Sequence, residues 1–352
     1  MKTHSIVVIG SSNTDLVIKV ARIPKPGETV LGGEFARNAG GKGANQAVGA
    51  ARAGGAVSFI GRVGHDDFGR RALTGLAAEG INVDHVIQDP AEPSGVALIF
   101  VGDGGENSIA VASGANARLE PADVRKGRRV FRGAKVLLVQ LEIPLETVEA
   151  AVGLATAAGV RVILNPAPAR PLPQSLLRRV FLLTPNESEA EILTGVRVTS
   201  EASAAEAAQR LLALGVENVI VTMGRRGAFV SGNGVRQFVP AYRIKAVDST
   251  AAGDIFNGTL ALALAEGKPL VEAARFASAA AAISVTRLGA QASAPTREQI
   301  DRFLLSGKVR RGQNIVGSNG RDGLLKWSKT RDSRREQITT TKAICSCLQP
   351  QP

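Results

Sequence analysis

Short apolar runs alternate with alanine-rich helical patterns along most of the chain. A continuous run such as Val-Leu-Leu-Val at residues 136–139 is typical of a strand in a sheet that is covered on both faces. Strands separated by helices predict right-handed βαβ crossovers, and hence an α/β fold with a parallel sheet. The predicted strands are Ser5–Gly10, Val57–Val63, Val136–Glu142, Arg161–Pro166, Val180–Thr184 and Asn218–Met223. The predicted helices are Gly43–Ala53, Gly69–Glu79, Pro144–Ala158, Ser188–Thr194 and Ala202–Leu214.

Two segments, about 15–35 and 94–111, depart from this pattern and predict β-hairpins. Apolar and polar residues alternate at the start of each segment, and a turn rich in proline or glycine follows. Two such hairpins could pair into a small sheet that stands off the main domain and closes over a site as a lid. The alternative is that they are unrelated surface hairpins.

The size and composition predict a globular protein with one large or two ordinary domains. The chain has 352 residues, of which 44% are hydrophobic and 21% charged. It has no apolar run of about 18 residues, so we expect no membrane span. The apolar run after Met1 is too short for a signal peptide, which predicts a cytosolic protein. The two cysteines, Cys345 and Cys347, and three scattered histidines favour neither a disulfide framework nor a zinc site.

Most of the positive charge lies in the C-terminal segment. The formal net charge is +12, and residues 305–352, with ten basic and three acidic residues, carry +7 of it. The regular alternation also stops at Leu305. We therefore predict one domain over residues 1–304 and a basic, disordered extension over residues 305–352. A nucleic-acid-binding tail is the alternative, but its single tryptophan, Trp327, offers no series of stacking side chains.

The strongest local signal is Asp-Ser-Thr-Ala-Ala-Gly-Asp at residues 248–254, which opens a helical pattern. The small residues Ala251, Ala252 and Gly253 would leave backbone N–H groups accessible at the positive end of the helix, which suits a phosphate. Asp254 would lie beside that anion, where a carboxylate could take a proton from a hydroxyl that attacks the phosphate. An ordinary helix with an acidic first turn is the alternative interpretation.

A glycine-rich segment, Asn38–Asn45, opens another predicted helix. It does not fit a Walker A loop, because Gly43 stands where Ser or Thr is required. Its glycines would let the backbone approach a small polar ligand, and Asn45 can donate to and accept from a sugar diol. A simple glycine-rich turn is the alternative.

Polar residues directly follow several predicted strands. Because ligands of such sheets bind beyond the carboxyl ends of the strands, their common location favours a binding site, although each residue alone could be a turn residue or a helix cap. They are Asn13, Asp15, Glu142, Asn186, Glu187, Thr222, Gly224 and Gly227. Serine-hydrolase, zinc-protease and dinucleotide-binding motifs are not found in the sequence.

Taken together, these motifs resemble the PfkB family of carbohydrate kinases, in its ribokinase branch. Asn38–Asn45 resembles the first signature of the family, and Asp248–Gly258 resembles the second. Gly61–Gly69, Thr184–Glu189 and Val285–Pro295 also match, so that the resemblance extends from about Ile6 to Phe303. It implies a ribokinase-like three-layer sandwich with a central, mostly parallel sheet and a small β-sheet lid.

The resemblance implies an enzyme that transfers a phosphoryl group from ATP to O5 of D-ribose. Asp254 would be the general base, and Ala251, Ala252 and Gly253 would form the anion hole. The residues implied to bind the sugar are Asn13, Asp15, Gly41, Lys42, Asn45, Glu142 and Asp254. There are two alternatives. One is a kinase of the same family that acts on another small sugar, such as deoxyribose or fructose. The other is a regulator that binds sugar or nucleotide without catalysis.

The resemblance also implies ATP, Mg²⁺ and K⁺ as cofactors and a homodimer formed through the lid. Asn186, Thr222, Gly224, Gly227, Gly253 and Ser278 would line the ATP site, with Glu189 acting indirectly on magnesium. Ser278 departs from the family pattern, which often has Asn or His there. The residues implied to hold potassium are Asp248, Thr250, Ser284, Arg287, Gly289 and Ser293.

Overall fold

The computed structural model describes residues 5–104 and 106–311, with side chains up to residue 306. These residues form a nine-stranded sheet and a separate four-stranded sheet. The strands are β1 Ser5–Ile9, β2 Asn13–Val20, β3 Glu34–Gly40, β4 Ala56–Gly64, β5 Asn82–Asp89, β6 Gly95–Gly102, β7 Asn107–Ala112, β8 Val136–Val139, β9 Arg161–Leu164, β10 Leu182–Leu183, β11 Asn218–Thr222, β12 Gly227–Gly232 and β13 Val235–Pro240. The helices are α1 Lys42–Arg52, α2 Asp67–Ala78, α3 Pro121–Lys126, α4 Leu145–Ala157, α5 Gln174–Leu177, α6 Glu187–Thr194, α7 Glu201–Ala213, α8 Ala252–Ala265, α9 Leu270–Ser284 and α10 Arg297–Arg311.

The large sheet has the strand order β13-β12-β11-β10-β9-β8-β1-β4-β5. Neighbouring strands from β5 to β11 are parallel, whereas β12 and β13 add an antiparallel edge. The chain proceeds from β1 to β4 on one side and returns to β8 on the other. This places a topological switch point beside the carboxyl end of β1, where such sheets bind ligands.

Two apolar cores lie on opposite faces of the large sheet. Ile6 and Val8 of β1 join one core, and Val7 and Ile9 join the other, because successive side chains of a strand point to opposite faces. The first core packs against α1, α2, α8, α9 and α10, and the second against α3 to α7. The predicted three-layer α/β sandwich is therefore confirmed, and the continuous apolar strands follow from burial on both faces.

Close contact between α1 and α8 positions the start of both helices. A Cβ added at Gly258 of α8 would lie 2.2 Å from the carbonyl oxygen of Gln46 in α1. A Cβ at Gly43 would lie 2.7 Å from the Gly10 carbonyl carbon, directly after β1. Glycine at these two positions thus allows α1 to approach both β1 and α8.

The four-stranded sheet has the order β3-β2-β6-β7, so the two predicted hairpins do pair into one small sheet. The hairpins themselves are β2–β3 and β6–β7, and β2 pairs with β6 in parallel. The first hairpin extends beyond the predicted 15–35, because its return strand is Glu34–Gly40 and uses part of the glycine-rich segment. Val30 lies in the irregular connection between the strands.

Several elements lie where none was predicted. The sequence did not indicate β5, the β12–β13 pair or α9, a 15-residue helix in which six buried alanines give only a weak apolar pattern. The last helix, α10, runs to Arg311, so the predicted boundary at residue 305 falls within it. The remainder of the predicted extension, residues 312–352, lies outside the described residues.

Candidate active site

The starts of α1 and α8 converge on the carboxyl ends of β1 and β8. Gly41 joins β3 to α1 with a φ of 86°, in the left-handed region that favours glycine. A Cβ at this position would also lie 2.7 Å from the Asn13 backbone nitrogen. The turn thereby brings Lys42 and Asn45 to the same edge of the sheet as Asn13.

Asp254, in the first turn of α8, is buried and held by two amides from α1. Asn45 Nδ2 donates to Asp254 Oδ2 at 3.0 Å, and Gln46 Nε2 donates to Oδ1 at 3.1 Å. Burial raises the pKa of Asp254, although the charge of Lys42 and the two amides act in the opposite direction. A raised pKa makes this carboxylate a stronger proton acceptor near neutral pH than an exposed aspartate.

Glu142 and Lys42 lie beside this carboxylate. Ser11 Oγ donates to Glu142 Oε2 at 2.5 Å, and the Lys42 backbone N–H donates to the same oxygen at 3.0 Å. The carboxylate of Asp254, and after it that of Glu142, raises the pKa of the Lys42 ammonium, while burial opposes them. Glu142 therefore fixes the start of α1, and Lys42 balances part of the negative charge that the carboxylates concentrate here.

Asn13 and Asp15 extend the polar surface along β2. Burial raises the pKa of Asp15 to about 6, with further contributions from the charges of Glu142 and Asp254. Asn116 Nδ2 donates to Asn13 Oδ1 at 2.8 Å and so fixes the orientation of that amide. Asn13, Asp15 and Glu142 thus provide carboxylate and amide groups for a ligand with several hydroxyls.

The side-chain oxygen of Asn45 supplies a further acceptor. Asn45 is 5% exposed, and its Oδ1 has no hydrogen-bond partner among the described residues. A buried polar atom of this kind costs free energy unless a ligand or water satisfies it. It is consistent with a hydroxyl-bearing ligand beside Asp254.

The start of α8 has the geometry of an anion site. Ala251, the residue before the helix, adopts a left-handed φ of 57°, which is uncommon for a residue with a Cβ. Ala252 N–H donates back to Ser249, and the helical ladder begins with Ile255 N–H donating to the Ala251 carbonyl. The N–H groups of Gly253 and Asp254 lie between these two bonds at the positive end of the helix, and Gly253 is exposed. An anion can therefore lie directly beside Asp254.

The residues predicted to bind the nucleotide lie at the ends of β10 and β11. Asn186 forms an isolated parallel bridge with Thr222, and Thr222 N–H donates to the Pro185 carbonyl at 2.9 Å. Asn186 also caps α6 and exchanges hydrogen bonds with Glu189, whose pKa is raised by burial. Gly224 and Gly227 both have positive φ and form the exposed turn into β12, whereas Ser278 lies half-buried on α9.

The predicted potassium residues come from two loops that Asp248 joins. Its Oδ1 accepts from Thr250 N–H at 2.8 Å and its Oδ2 from Gly289 N–H at 2.9 Å. Partial burial acts to raise the pKa of Asp248, but these hydrogen bonds lower it. The hydroxyls of Ser284 and Ser293 donate to backbone carbonyls, and Arg287 N–H donates to the Ser284 carbonyl.

These donors fit the cations that the motifs imply. The hydroxyl oxygens of Ser284 and Ser293 keep their lone pairs because their protons are already donated, and oxygen is the donor type that hard cations require. Within residues 5–104 and 106–306, no group of three or more His, Cys, Asp or Glu side chains could hold a metal ion. Magnesium that is bound through nucleotide phosphates needs only one or two carboxylates, so Glu189 beside Asn186 fits such an ion.

Sequence reasoning missed the buried amides and the hydroxyl that support the site. Their only sequence signal is a polar residue within or directly after an apolar segment, as at Gln140 and Asn165. The side chains missed are Gln46, Asn116, Gln140, Asn165, Thr184 and Asn257.

Comparison with known proteins gives one family. The sequence profile described as pfkB family carbohydrate kinase matches residues 3–297. The chain is 47% identical over 300 residues to a ribokinase of Haemophilus influenzae, which covers 85% of this chain and 98% of the relative. It is 40% identical over 300 residues to a deoxyribokinase of Salmonella typhi, covering 85% of this chain and 98% of that protein.

The fold is also similar to that of solved ribokinases. The Arabidopsis thaliana ribokinase complexed with ribose and ATP superposes with a TM-score of 0.81 at 33% identity, over 86% of this chain and 99% of that one. In the part of the chain that the structure describes, no helix is long and apolar enough to span a bilayer. The cytosolic location stays a prediction from the sequence.

Proposed function

The chain belongs to the pfkB family of carbohydrate kinases, and from this we propose that it transfers the γ-phosphoryl group of ATP to O5 of D-ribose. The products are ribose 5-phosphate and ADP. The observation that carries this proposal is the buried carboxylate of Asp254 between the Asn45 amide and the accessible start of α8. A proton acceptor and an anion site are thereby adjacent, as transfer from ATP to an alcohol requires.

Asp254 acts as the general base. It takes the proton of the sugar hydroxyl as the oxygen forms its bond to the γ-phosphorus and the bond from that phosphorus to the ADP oxygen breaks. The anion hole that we propose lies at Ala251, Ala252 and Gly253, where the N–H groups of Gly253 and Asp254 remain available to receive the charge of the transferring group, aided by the positive end of α8. The base and the anion hole therefore stabilise the same transition state.

The sugar is held by the polar groups that surround Asp254. Asn13, Asp15, Asn45 and Glu142 offer fixed acceptors and donors, and Gly41 and Lys42 complete the turn above them. A sugar that lacks one hydroxyl would leave one of these groups unpaired, at about 1–3 kcal/mol each. The site therefore favours a polyhydroxyl substrate.

ATP is placed along the ends of β10 and β11. Asn186 and Thr222 meet at this edge, and we assign Gly224, Gly227 and Ser278 to the same site, with the phosphates directed toward Gly253. Glu189 would act on magnesium that is bound to the phosphates. That ion would offset the charge of the phosphates during transfer.

Potassium is the cation that we propose for the loops joined by Asp248. Ser284, Ser293 and backbone carbonyls at Thr250, Arg287 and Gly289 would supply oxygen ligands. The loop that contains Asp248 and Thr250 leads into Ala251, so a bound ion would stabilise the start of α8.

The small sheet is the lid in this proposal, and a second copy of the chain is its partner. Ile18, Phe35 and Leu98 lie on the face opposite to Asp15 and are 37%, 66% and 49% exposed. Exposed apolar side chains on one sheet face favour association. Phe35→Asp is expected to convert a dimer into monomers in light scattering, whereas an unchanged mass would exclude this interface.

Deoxyribose is the second candidate substrate, because the deoxyribokinase relative is nearly as similar over the same length. The deciding experiment is ATP consumption with ribose, 2-deoxyribose and fructose. The highest kcat/KM is expected for ribose. A preference for another sugar would replace ribose, and sugar binding without turnover of any of the three would indicate the non-catalytic regulator.

We propose one kinase domain over residues 1–304 that α10 extends to Arg311, followed by a basic extension that is dispensable for activity. Deletion should begin after Arg311, since α10 continues to that residue. Residues 312–352 follow the family match, which ends at residue 297. Loss of activity on their deletion would show that the extension contributes to the enzyme.

A further inference from the structure

A closed ring of buried hydrogen bonds links the Asp254 carboxylate to the peptide group that precedes it. Gln46 Nε2 donates to both Asp254 Oδ1 and Asn165 Oδ1, at 3.1 and 3.0 Å. Asn165 Nδ2 donates to the Thr184 carbonyl at 3.1 Å, and Thr184 Oγ1 donates to Asn257 Oδ1 at 2.6 Å. Asn257 Nδ2 then donates to the Gly253 carbonyl at 2.8 Å. The Gly253–Asp254 peptide bond closes the ring.

The donor direction of every bond in the ring is determined. The ionised carboxylate and the two backbone carbonyls can only accept, so the amides of Gln46, Asn165 and Asn257 must each turn a nitrogen toward them. Gln46 Oε1 then faces Gln140, which donates to it at 2.5 Å. The side chains of the ring are at most 7% exposed, so water does not compete for these bonds.

The ring bears on catalysis through the planarity of one peptide group. A trans peptide is planar, so the direction of the Gly253 carbonyl sets the direction of the Asp254 N–H. Asn257 holds that carbonyl from one end of the ring, and Gln46 holds the Asp254 carboxylate from the other. The base and one N–H of the anion hole are thereby fixed relative to each other.

We propose that Gln46, Asn165, Thr184 and Asn257 form a positioning ring that aligns the proton acceptor with the anion hole. The inference rests on the proposed phosphoryl transfer, but none of these four residues is assigned contact with sugar or nucleotide. Small displacements of reacting groups are costly in enzymes, and about 1 Å can lower a rate 10²-fold. Breaking the ring away from the substrates therefore lowers kcat and leaves sugar affinity nearly unchanged.

The sharpest test uses Thr184, which lies in the ring but touches neither end of the Gly253–Asp254 peptide. Thr184→Val keeps the shape and removes the hydroxyl, whereas Thr184→Ser keeps the hydroxyl. We expect kcat to fall about 10-fold in the Val variant, with the sugar Kd within twofold, and to be preserved in the Ser variant. Asn257→Leu should show the same loss.

A matched control is available on α8, the helix that carries Asp254 and Asn257. Thr259 is fully buried, and its hydroxyl donates to the Ile255 carbonyl at 2.6 Å, outside the ring. Thr259→Val removes a similar bond from α8 and should preserve kcat. In the double variant of Thr184→Val and Asn257→Leu, the loss should not exceed the larger single loss, since either change opens the ring.

An NMR measurement separates failure of the ring from failure of the proposed reaction. With ¹⁵N-labelled aspartate, the Asp254 amide resonance should shift in Thr184→Val but not in Thr184→Ser, whichever sugar is the substrate. An unmoved resonance, losses in kcat that multiply in the double variant, or an equal loss in Thr259→Val would overturn the ring. Absence of wild-type turnover with every sugar would instead overturn the proposed function.

Discussion

The side-chain amide of Asn45 donates to Asp254 Oδ2 at 3.0 Å, although 209 positions separate the two residues in the chain. The bond connects the first turns of α1 and α8, the two segments in which the sequence motifs lie. It leaves Asn45 Oδ1 buried and without a partner in the described part of the chain. One amide therefore fixes the base and presents an acceptor to the substrate.

Replacing Asp254 by Asn should separate binding from turnover. The Asn45 amide can rotate so that its free Oδ1 accepts from the new amide, and the surrounding structure is preserved. Without a proton acceptor, kcat should fall by about 10²–10⁴-fold. Turnover is measured by ATP consumption with ribose, and sugar affinity by calorimetry.

Asp254→Asn should keep the ribose Kd within a few-fold of the wild type. A variant that turns over at nearly the wild-type rate would exclude Asp254 as the general base. A variant that no longer binds sugar would instead assign Asp254 mainly to substrate binding.

Asp15 should make the sugar-free protein less stable as the pH rises. Its folded pKa of about 6 exceeds the unfolded value near 3.8, so the folded state binds more protons between these values. Stability is therefore lost as the pH rises from about 4 to 6, and it is not regained above pH 6. Asp15→Asn should raise the free energy of unfolding at pH 7.5 by on the order of 1–3 kcal/mol, and by less at pH 5.

Urea unfolding of both proteins at the two pH values measures this difference. Asp103→Asn removes one exposed charge from the lid and serves as the matched control. Ribose affinity should fall in Asp15→Asn, because the carboxylate is lost from the sugar site. Equal stabilities of wild type and Asp15→Asn at pH 7.5 would contradict a cost of burying this charge.

The strands of the large sheet were predictable because burial on both faces imposes an apolar run. Ile6–Ile9 alternates between the two cores, and no polar position interrupts it. The edge strand β13 is largely exposed, with residues such as Arg236, and gives no such run, whereas β12 is buried but has only a short apolar segment between glycine and serine residues. Helix α9 was missed since its alanines pack on several sides and show no period.

The motif residues of the site were predictable from the local sequence, but their supports were not. Asp254 and Gly41 lie at the starts of helices, where their chemistry is visible without a fold. Gln46 lies in the middle of α1, and its contact with Asp254 exists only because glycines let α1 and α8 approach closely. A buried amide reveals its partner only when the tertiary structure is known.

Potassium should activate the enzyme more than sodium does. The loop of Asp248, which its carboxylate joins to the loop of Gly289, leads directly into the left-handed Ala251 and the start of α8, so an ion there would favour the catalytic arrangement. The rate with K⁺ should exceed that with Na⁺ or choline at equal ionic strength, which controls for screening. Asp248→Ala should remove most of this difference, and indifference of the wild type to the cation would exclude the site.

The contact between α1 and α8 predicts opposite effects for alanine at two helical glycines. At Gly258 a Cβ would lie 2.2 Å from the Gln46 carbonyl oxygen, whereas at Gly75 of α2 it would meet no described atom within 4 Å apart from its chain neighbours and the nearby backbone of its own helix. Gly258→Ala must push the helices apart, which should lower the free energy of unfolding by about 1–3 kcal/mol and misplace Gln46 against Asp254. Gly75→Ala should instead add up to about 1 kcal/mol through helix propensity, with kcat unchanged. Urea unfolding and ribose turnover of both variants test this, and a fully stable, fully active Gly258→Ala would mean that the close approach of α1 to α8 is unnecessary for the site.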